Sequence, residues 1–215
     1  MSHAQTGTQL YAVVEAGEAA QERFVAALAV ADFASLLIAP PPGGALDAGS
    51  ARGLVDVAQK NGVAAIIAGD SRLARALRAD GVHLAPARGM VEAYEEARSI
   101  LGRGAIVGAD VGISRHDAMT VAEAGADYVA FGAPAHLKDR DKARVRRDEL
   151  IAWWAEIFEG PCVALDVETP AEAEALARAG ADFIGIRLAS GATAAATREL
   201  VAGLAAAVRL TTSAG

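Results

Sequence analysis

Short apolar runs rich in β-branched residues alternate along this chain with longer stretches of helical periodicity. Eight runs, at 9–14, 35–38, 64–67, 82–84, 105–109, 128–131, 162–165 and 183–186, are too short for helices and lie between turn-forming residues, so they read as strands. The segments near 18–31, 48–61, 70–79, 90–101, 114–124, 146–158, 169–179 and 194–210 are rich in Ala, Leu, Glu and Arg and read as helices. Helix ends are marked by Asn61-Gly62, Asp80-Gly81, Gly125 and Gly180, and starts by Ser114 and by Thr169-Pro170. Every strand is followed by a helix. Apolar strands linked in this way predict a parallel sheet covered by helices, with the chemistry in the loops after the strands.

An internal echo narrows the topology. Ala-Glu-Ala-Gly-Ala-Asp-Tyr-Val-Ala-Phe-Gly at 122–132 recurs as Ala-Arg-Ala-Gly-Ala-Asp-Phe-Ile-Gly-Ile at 177–186, and a weaker Arg-Ala-Asp-Gly-Val-His-Leu lies at 78–84. Reuse of one strand-helix unit around a ring predicts a single α/β domain, a (β/α)8 TIM barrel over 9–211, after a disordered tail at 1–8. An open doubly wound sheet ranks second, because the glycine fingerprint its first turn often carries is absent after Val14.

With 215 residues the chain sits near the lower limit for such a barrel. Its net charge of -7 leaves no long basic face for nucleic acid, and only 138–147 is locally basic. Anionic small molecules stay within reach of that segment. Cys162 is the only cysteine and falls in a strand, which points to a reducing compartment and a small core residue. The N-terminus lacks a basic and an apolar leader region, and no apolar run reaches membrane-spanning length, so a cytoplasmic location is expected. Barrels of this size often pair through outer helices, so a homodimer is one expectation. Trp153 and Trp154 are adjacent on a helix, so only one can face the core squarely.

Three motifs carry a resemblance: Asp80-Gly81-Val82-His83-Leu84, the segment 108–116, and Gly125-Ala126-Asp127-Tyr128-Val129-Ala130-Phe131-Gly132. In order and near-spacing they resemble the thiamine phosphate synthase family, whose pattern the thiazole tautomerases share. The likeness runs from Leu10-Tyr11 to Gly180-Ala181-Asp182. It implies a (β/α)8 barrel that joins a pyrimidine pyrophosphate to a thiazole phosphate, with Mg²⁺ assisting the departure of pyrophosphate. Carried over residue by residue, it implies roles for Asp70 as metal carboxylate or catalytic acid, for His83 and Ser114 in catalysis, and for Arg140 as a phosphate-binding cation flanked by Lys138 and Lys142. It also implies a phosphate nest at Ser190-Gly191.

The chain departs from that family at several strand ends. After the second strand, the Gln-Leu-Arg-x-Lys pattern becomes Leu36-Leu37-Ile38-Ala39-Pro40-Pro41-Pro42, and both cations are gone. After the third, Asn-Asp becomes Gly69-Asp70. After the fourth, the second Mg²⁺ carboxylate is replaced by Arg88, which would repel the metal and could pair with Asp70. After the sixth, a Thr-x-Thr-Lys run becomes His136-Leu137-Lys138-Asp139-Arg140-Asp141-Lys142. After the seventh, the phosphate-cradling Gly-Gly-Ile becomes Leu165-Asp166-Val167-Glu168, placing two carboxylates where an anion should bind.

Each candidate has a plainer reading. Asp70 and Ser114 stand where helix N-caps stand, His83 belongs to a structural signature, and 138–149 reads as a solvated charged loop. Asp166, Glu168 and Arg187 follow the last two strands and form either an ion pair or a new ligand site. Two functions therefore stand side by side. One is a transferase of thiamine assembly with a rebuilt site, using Asp70, His83, Ser114, Arg140 and Mg²⁺. The other is a paralogue that has lost the reaction and binds a small molecule, phosphorylated or not, near Arg88, Asp166, Glu168 and Arg187; the loss of four separate site elements favours it. A tautomerase is third, since the histidine after the sixth strand's Phe-Gly is Ala133 here.

Overall fold

Strand runs with apolar residues on both faces must be buried on both sides, and a sheet that closes on itself inside a ring of helices achieves this. The computed structural model, which describes residues 7–133 and 138–212, shows that arrangement. Its strands are β1 (Gln9–Glu15), β2 (Ser35–Ala39), β3 (Ala64–Ala68), β4 (Gly81–Leu84), β5 (Ile106–Gly112), β6 (Tyr128–Phe131), β7 (Cys162–Ala164) and β8 (Phe183–Leu188). They pair in parallel in sequence order and close β8 against β1. The helices are α1 (Ala20–Leu28), α2 (Ala48–Lys60), α3 (Ser71–Leu77), α4 (Met90–Leu101), α5 (Arg115–Glu123), α6 (Arg140–Ile157), α7 (Pro170–Arg178) and α8 (Ala194–Thr212). The chain is a (β/α)8 barrel, not an open sheet. No helix of the described residues is long and apolar enough to cross a membrane. The first six residues of the expected tail lie outside the described residues, while the Thr8 hydroxyl donates to the Ala181 carbonyl.

The internal echo has a physical purpose. Asp80, Asp127 and Asp182 stand just before β4, β6 and β8, and each carboxylate accepts a backbone N–H from the strand immediately before: Ala65 of β3, Val107 of β5 and Cys162 of β7, at 2.7, 2.7 and 2.8 Å. Each repeat thereby satisfies a donor near the start of the preceding strand at the barrel's N-terminal end, where residues serve stability.

Two elements differ from the pattern. Helix α6 begins at Arg140, so 140–149 is helix and not a solvated loop. Asp139 caps it, accepting from the Lys142 N–H at 3.1 Å, and its buried face runs Ala143, Arg147, Leu150, Ile151 and Trp154. A fully buried arginine in that stripe conceals the helical period. Strand β5 continues to Gly112, past the expected end at 109, with a register irregularity between Asp110 and Gly112.

The core has two parts. One lies between strands and helices. The other fills the barrel and includes Tyr11, Val13, Leu37, Ile66, Tyr128, Ala130, Val163 and Leu165. Gly108 is required there, because a β-carbon would stand inside the Tyr128 ring. Trp154 is buried, while Trp153 is half-buried beneath the Arg115 guanidinium, 4.6 Å from the ring centroid.

Candidate functional site at the barrel mouth

The interior-facing positions near the strand C-termini bring four charged side chains together. The Arg187 guanidinium, from β8, donates to Glu15 at 3.3 Å and to Asp166 at 3.2 Å. Asp166 follows β7 with φ 58, a left-handed conformation that glycine adopts without cost and aspartate tolerates. Buried Arg147 holds it there: its guanidinium donates to the Leu165 and Asp166 carbonyls and pairs with Asp148 and Glu172. The charge run thus supplies a brace for the mouth. Its guanidinium is sealed beneath the surface, out of reach of a ligand.

Asp110, on β5, is the fourth member. Its Oδ1 accepts from the Gly112 N–H at 2.8 Å. Burial, with the Asp166 charge adding to it, raises this carboxyl from its ordinary 3.8 to about 6, against the opposing pull of Gly112 and Arg187. Three carboxyls face one guanidinium, so the mouth carries an excess of negative charge.

Below it lies a buried hydrogen-bonded chain. Tyr11 and Tyr128 hydroxyls are 2.8 Å apart, and the Tyr128 hydroxyl is 2.8 Å from His83 Nδ1. Burial lowers the His83 imidazole from 6.5 to about 4, keeping it neutral, and pushes both phenols upward.

The other expected site residues lie apart from this cluster. Asp70 is exposed and caps α3, accepting from the Leu73 N–H at 2.8 Å. Ser114 caps α5, accepting from the Asp117 N–H at 3.2 Å. Arg88 is exposed in the loop before α4 and makes no ion pair among the described residues, so the expected pairing with Asp70 does not form. Glu168 pairs with Arg144 and not with Arg187. Arg140 donates to the Ala133 carbonyl, Lys142 pairs with Asp139 at 3.2 Å, and Lys138 is exposed. His136 lies outside the described residues. Ser190 and Gly191 border a cleft of about 600 Å³ between the β8 and β1 loops, which Glu18, Glu22 and buried Arg23 also line.

The Mg²⁺ that the resemblance implies finds no matching donor set. Asp70 spends one carboxylate oxygen on its helix, the position after β4 is a cation, and no group of three or more His, Cys, Asp or Glu among the described residues could hold a metal ion.

Sequence reasoning missed Glu15 and Asp110. A signal for Asp110 was present: Gly108, Asp110 and Gly112 alternate with Val107, Ala109 and Val111, which puts the carboxyl on the face of the small residues.

Comparison with known proteins agrees with this architecture. A family model described as thiamine monophosphate synthase matches residues 47–189, beginning after β2. The chain is 45% identical over 126 residues to a thiamine-phosphate synthase of Erythrobacter litoralis, covering 58% of each, and 40% identical over 129 residues to one of Rhodospirillum centenum, covering 60% of each. It thus spans about three-fifths of the length of these curated relatives. Its fold matches a thiamine phosphate pyrophosphorylase from Pyrococcus furiosus with a TM-score of 0.71 at 19% identity, covering 94% of this chain and 96% of that one. A protein described as native KDPGal matches with a TM-score of 0.77 at 15% identity, a likeness of fold alone. The family-model match over about two-thirds of the chain, joined to the closed barrel, makes this chain a member of the thiamine monophosphate synthase family.

Proposed function

We propose that this member of the family does not couple the two phosphorylated thiamine precursors and instead holds a small molecule in its barrel mouth. The observation that carries this reading is the engagement of Arg187 by Glu15 and Asp166, with Asp110 left over beside them. Phosphorylated substrates need unpaired cations and open backbone N–H groups at these loops. Here the Arg187 guanidinium is offset by Glu15, and Asp166 adds a charge that repels phosphate more strongly as water is excluded.

A second reading keeps the coupling, with Asp70, His83, Ser114 and Arg140 carrying it. It is favoured by the 45% identity to a protein named as a synthase.

Calorimetric titration with thiazole phosphate distinguishes the two. The wild-type protein is expected to bind it no better than it binds inorganic phosphate, whereas Asp166→Gly combined with Glu168→Ala should gain binding. Saturable binding by the wild type, weakened by the double variant, would overturn the proposal.

A further inference from the structure

The direction of the buried hydrogen bonds determines what His83 offers to the barrel interior. If Tyr11 donates to Tyr128 and Tyr128 donates to His83 Nδ1, both hydroxyl protons are used and the imidazole carries its proton on Nε2. In every other arrangement one hydroxyl proton, on Tyr11 or on Tyr128, has no acceptor among the described residues, an unfavourable state for side chains that are 1% and 7% exposed. The first direction therefore holds.

His83 is itself 5% exposed, yet Nε2 has no protein partner among the described residues. Among the described residues the sealed, unpartnered side-chain atoms are Arg23 Nε and Arg144 Nε, and His83 Nε2 is not one of them. The far side of the ring thus keeps a donor that is unpartnered yet not fully sealed from solvent.

The register relates this donor to Asp110. His83 pairs with Gly108 across β4 and β5, and Asp110 lies two residues further along the same face. Strand spacing and rise put the two Cα atoms about 8 Å apart. Ala68 pairs with His83 and Ala39 pairs with Glu15, so the adjoining wall, on β3 and β2, carries methyl groups, both partly exposed.

Resting on the reading of the mouth as a small-molecule site, we propose that its ligand is a small, flat organic cation bearing a hydrogen-bond acceptor. His83 Nε2–H donates to the acceptor, Asp110 accepts from the cationic group with Asp166 behind it, and Ala39 and Ala68 support the apolar body. An amidinium or ammonium group on a heteroaromatic ring meets these requirements. The added positive charge offsets the carboxylate excess that Arg187 leaves.

The test uses three ligands of one shape, 4-amidinopyridine, isonicotinamide and isonicotinate, with benzamidine as the cation lacking the ring acceptor. Calorimetry should rank 4-amidinopyridine first, with isonicotinate weakest. Benzamidine should bind up to about tenfold more weakly than 4-amidinopyridine, the worth of one hydrogen bond. Asp110→Asn should remove most of the preference for the cation. In ¹⁵N-histidine-labelled protein, His83 should show the Nε2–H tautomer, and only ligands with the ring nitrogen should shift that proton.

An Nδ1–H tautomer, an equal or greater affinity for isonicotinate, or binding of 4-amidinopyridine without a His83 shift would overturn the inference while leaving the mouth as a site. Failure of all four to bind would overturn it also. Failure of the underlying reading is seen separately, as formation of thiamine phosphate by the same protein.

Discussion

Replacing Asp110 by asparagine should stabilise the protein, and the gain should grow with pH. Asparagine keeps an oxygen for the Gly112 N–H but cannot ionise. The native carboxyl is raised from 3.8 to about 6, first by burial and then by the Asp166 charge, with Arg187 opposing. The hydroxyls of Tyr11 and Tyr128, pushed upward by burial, stay protonated and add no charge beside it. A carboxyl with a raised folded-state value binds its proton more tightly when folded. Its contribution to stability is therefore complete below pH 3.8 and is lost as pH rises through 6. At about 1.4 kcal/mol per pH unit, the loss comes to about 3 kcal/mol. Urea denaturation of both proteins from pH 4 to pH 8 provides the measurement, with the slope expected to stay the same. The stability difference should open between those two values and level off above pH 7. Parallel curves over the whole range would refute the placement of Asp110 as a largely desolvated carboxyl that Gly112 and Arg187 only partly compensate.

Three other substitutions follow from the packing. Gly108→Ala should displace the Tyr128 ring and cost at least about 1–3 kcal/mol in thermal unfolding, with a change in the near-ultraviolet tyrosine signal. Arg147→Met should cost about 3–5 kcal/mol, since it leaves Glu172 and two carbonyls without their donor and frees the Asp166 backbone. Asp70→Ala should cost only about 1 kcal/mol, the worth of an N-cap, and leave binding of 4-amidinopyridine unchanged by calorimetry.

Most of the architecture could be read from the chain because each strand-helix unit obeys local rules. The β6 boundaries and those of α4 match the apolar pattern, and Asn61-Gly62 and Thr169-Pro170 fall at helix ends. The start of α6 could not be read in the same way, since Arg147 breaks the apolar stripe and its burial depends on carbonyls contributed by the β7 loop. The site was legible in part for a similar reason. Asp166 and Arg187 were visible as charges after the last strands, but their partner Glu15 lies 172 residues from Arg187 and meets it only through closure of the barrel. Asp70 and Ser114 illustrate the converse: a site motif and a helix cap use the same residue types, and the hydrogen bonds to Leu73 and Asp117 show the cap.

The absence of the family's coupling reaction in this chain is the central claim, and product formation tests it most directly. Purified protein is incubated with the pyrimidine pyrophosphate, thiazole phosphate and Mg²⁺, and thiamine phosphate is sought by mass spectrometry, with Asp70→Ala as the control. The expected result is no product above the protein-free background from folded wild-type protein. Thiamine phosphate that forms with the wild type and disappears with Asp70→Ala would contradict the account and return Asp70 to the centre of a working synthase site.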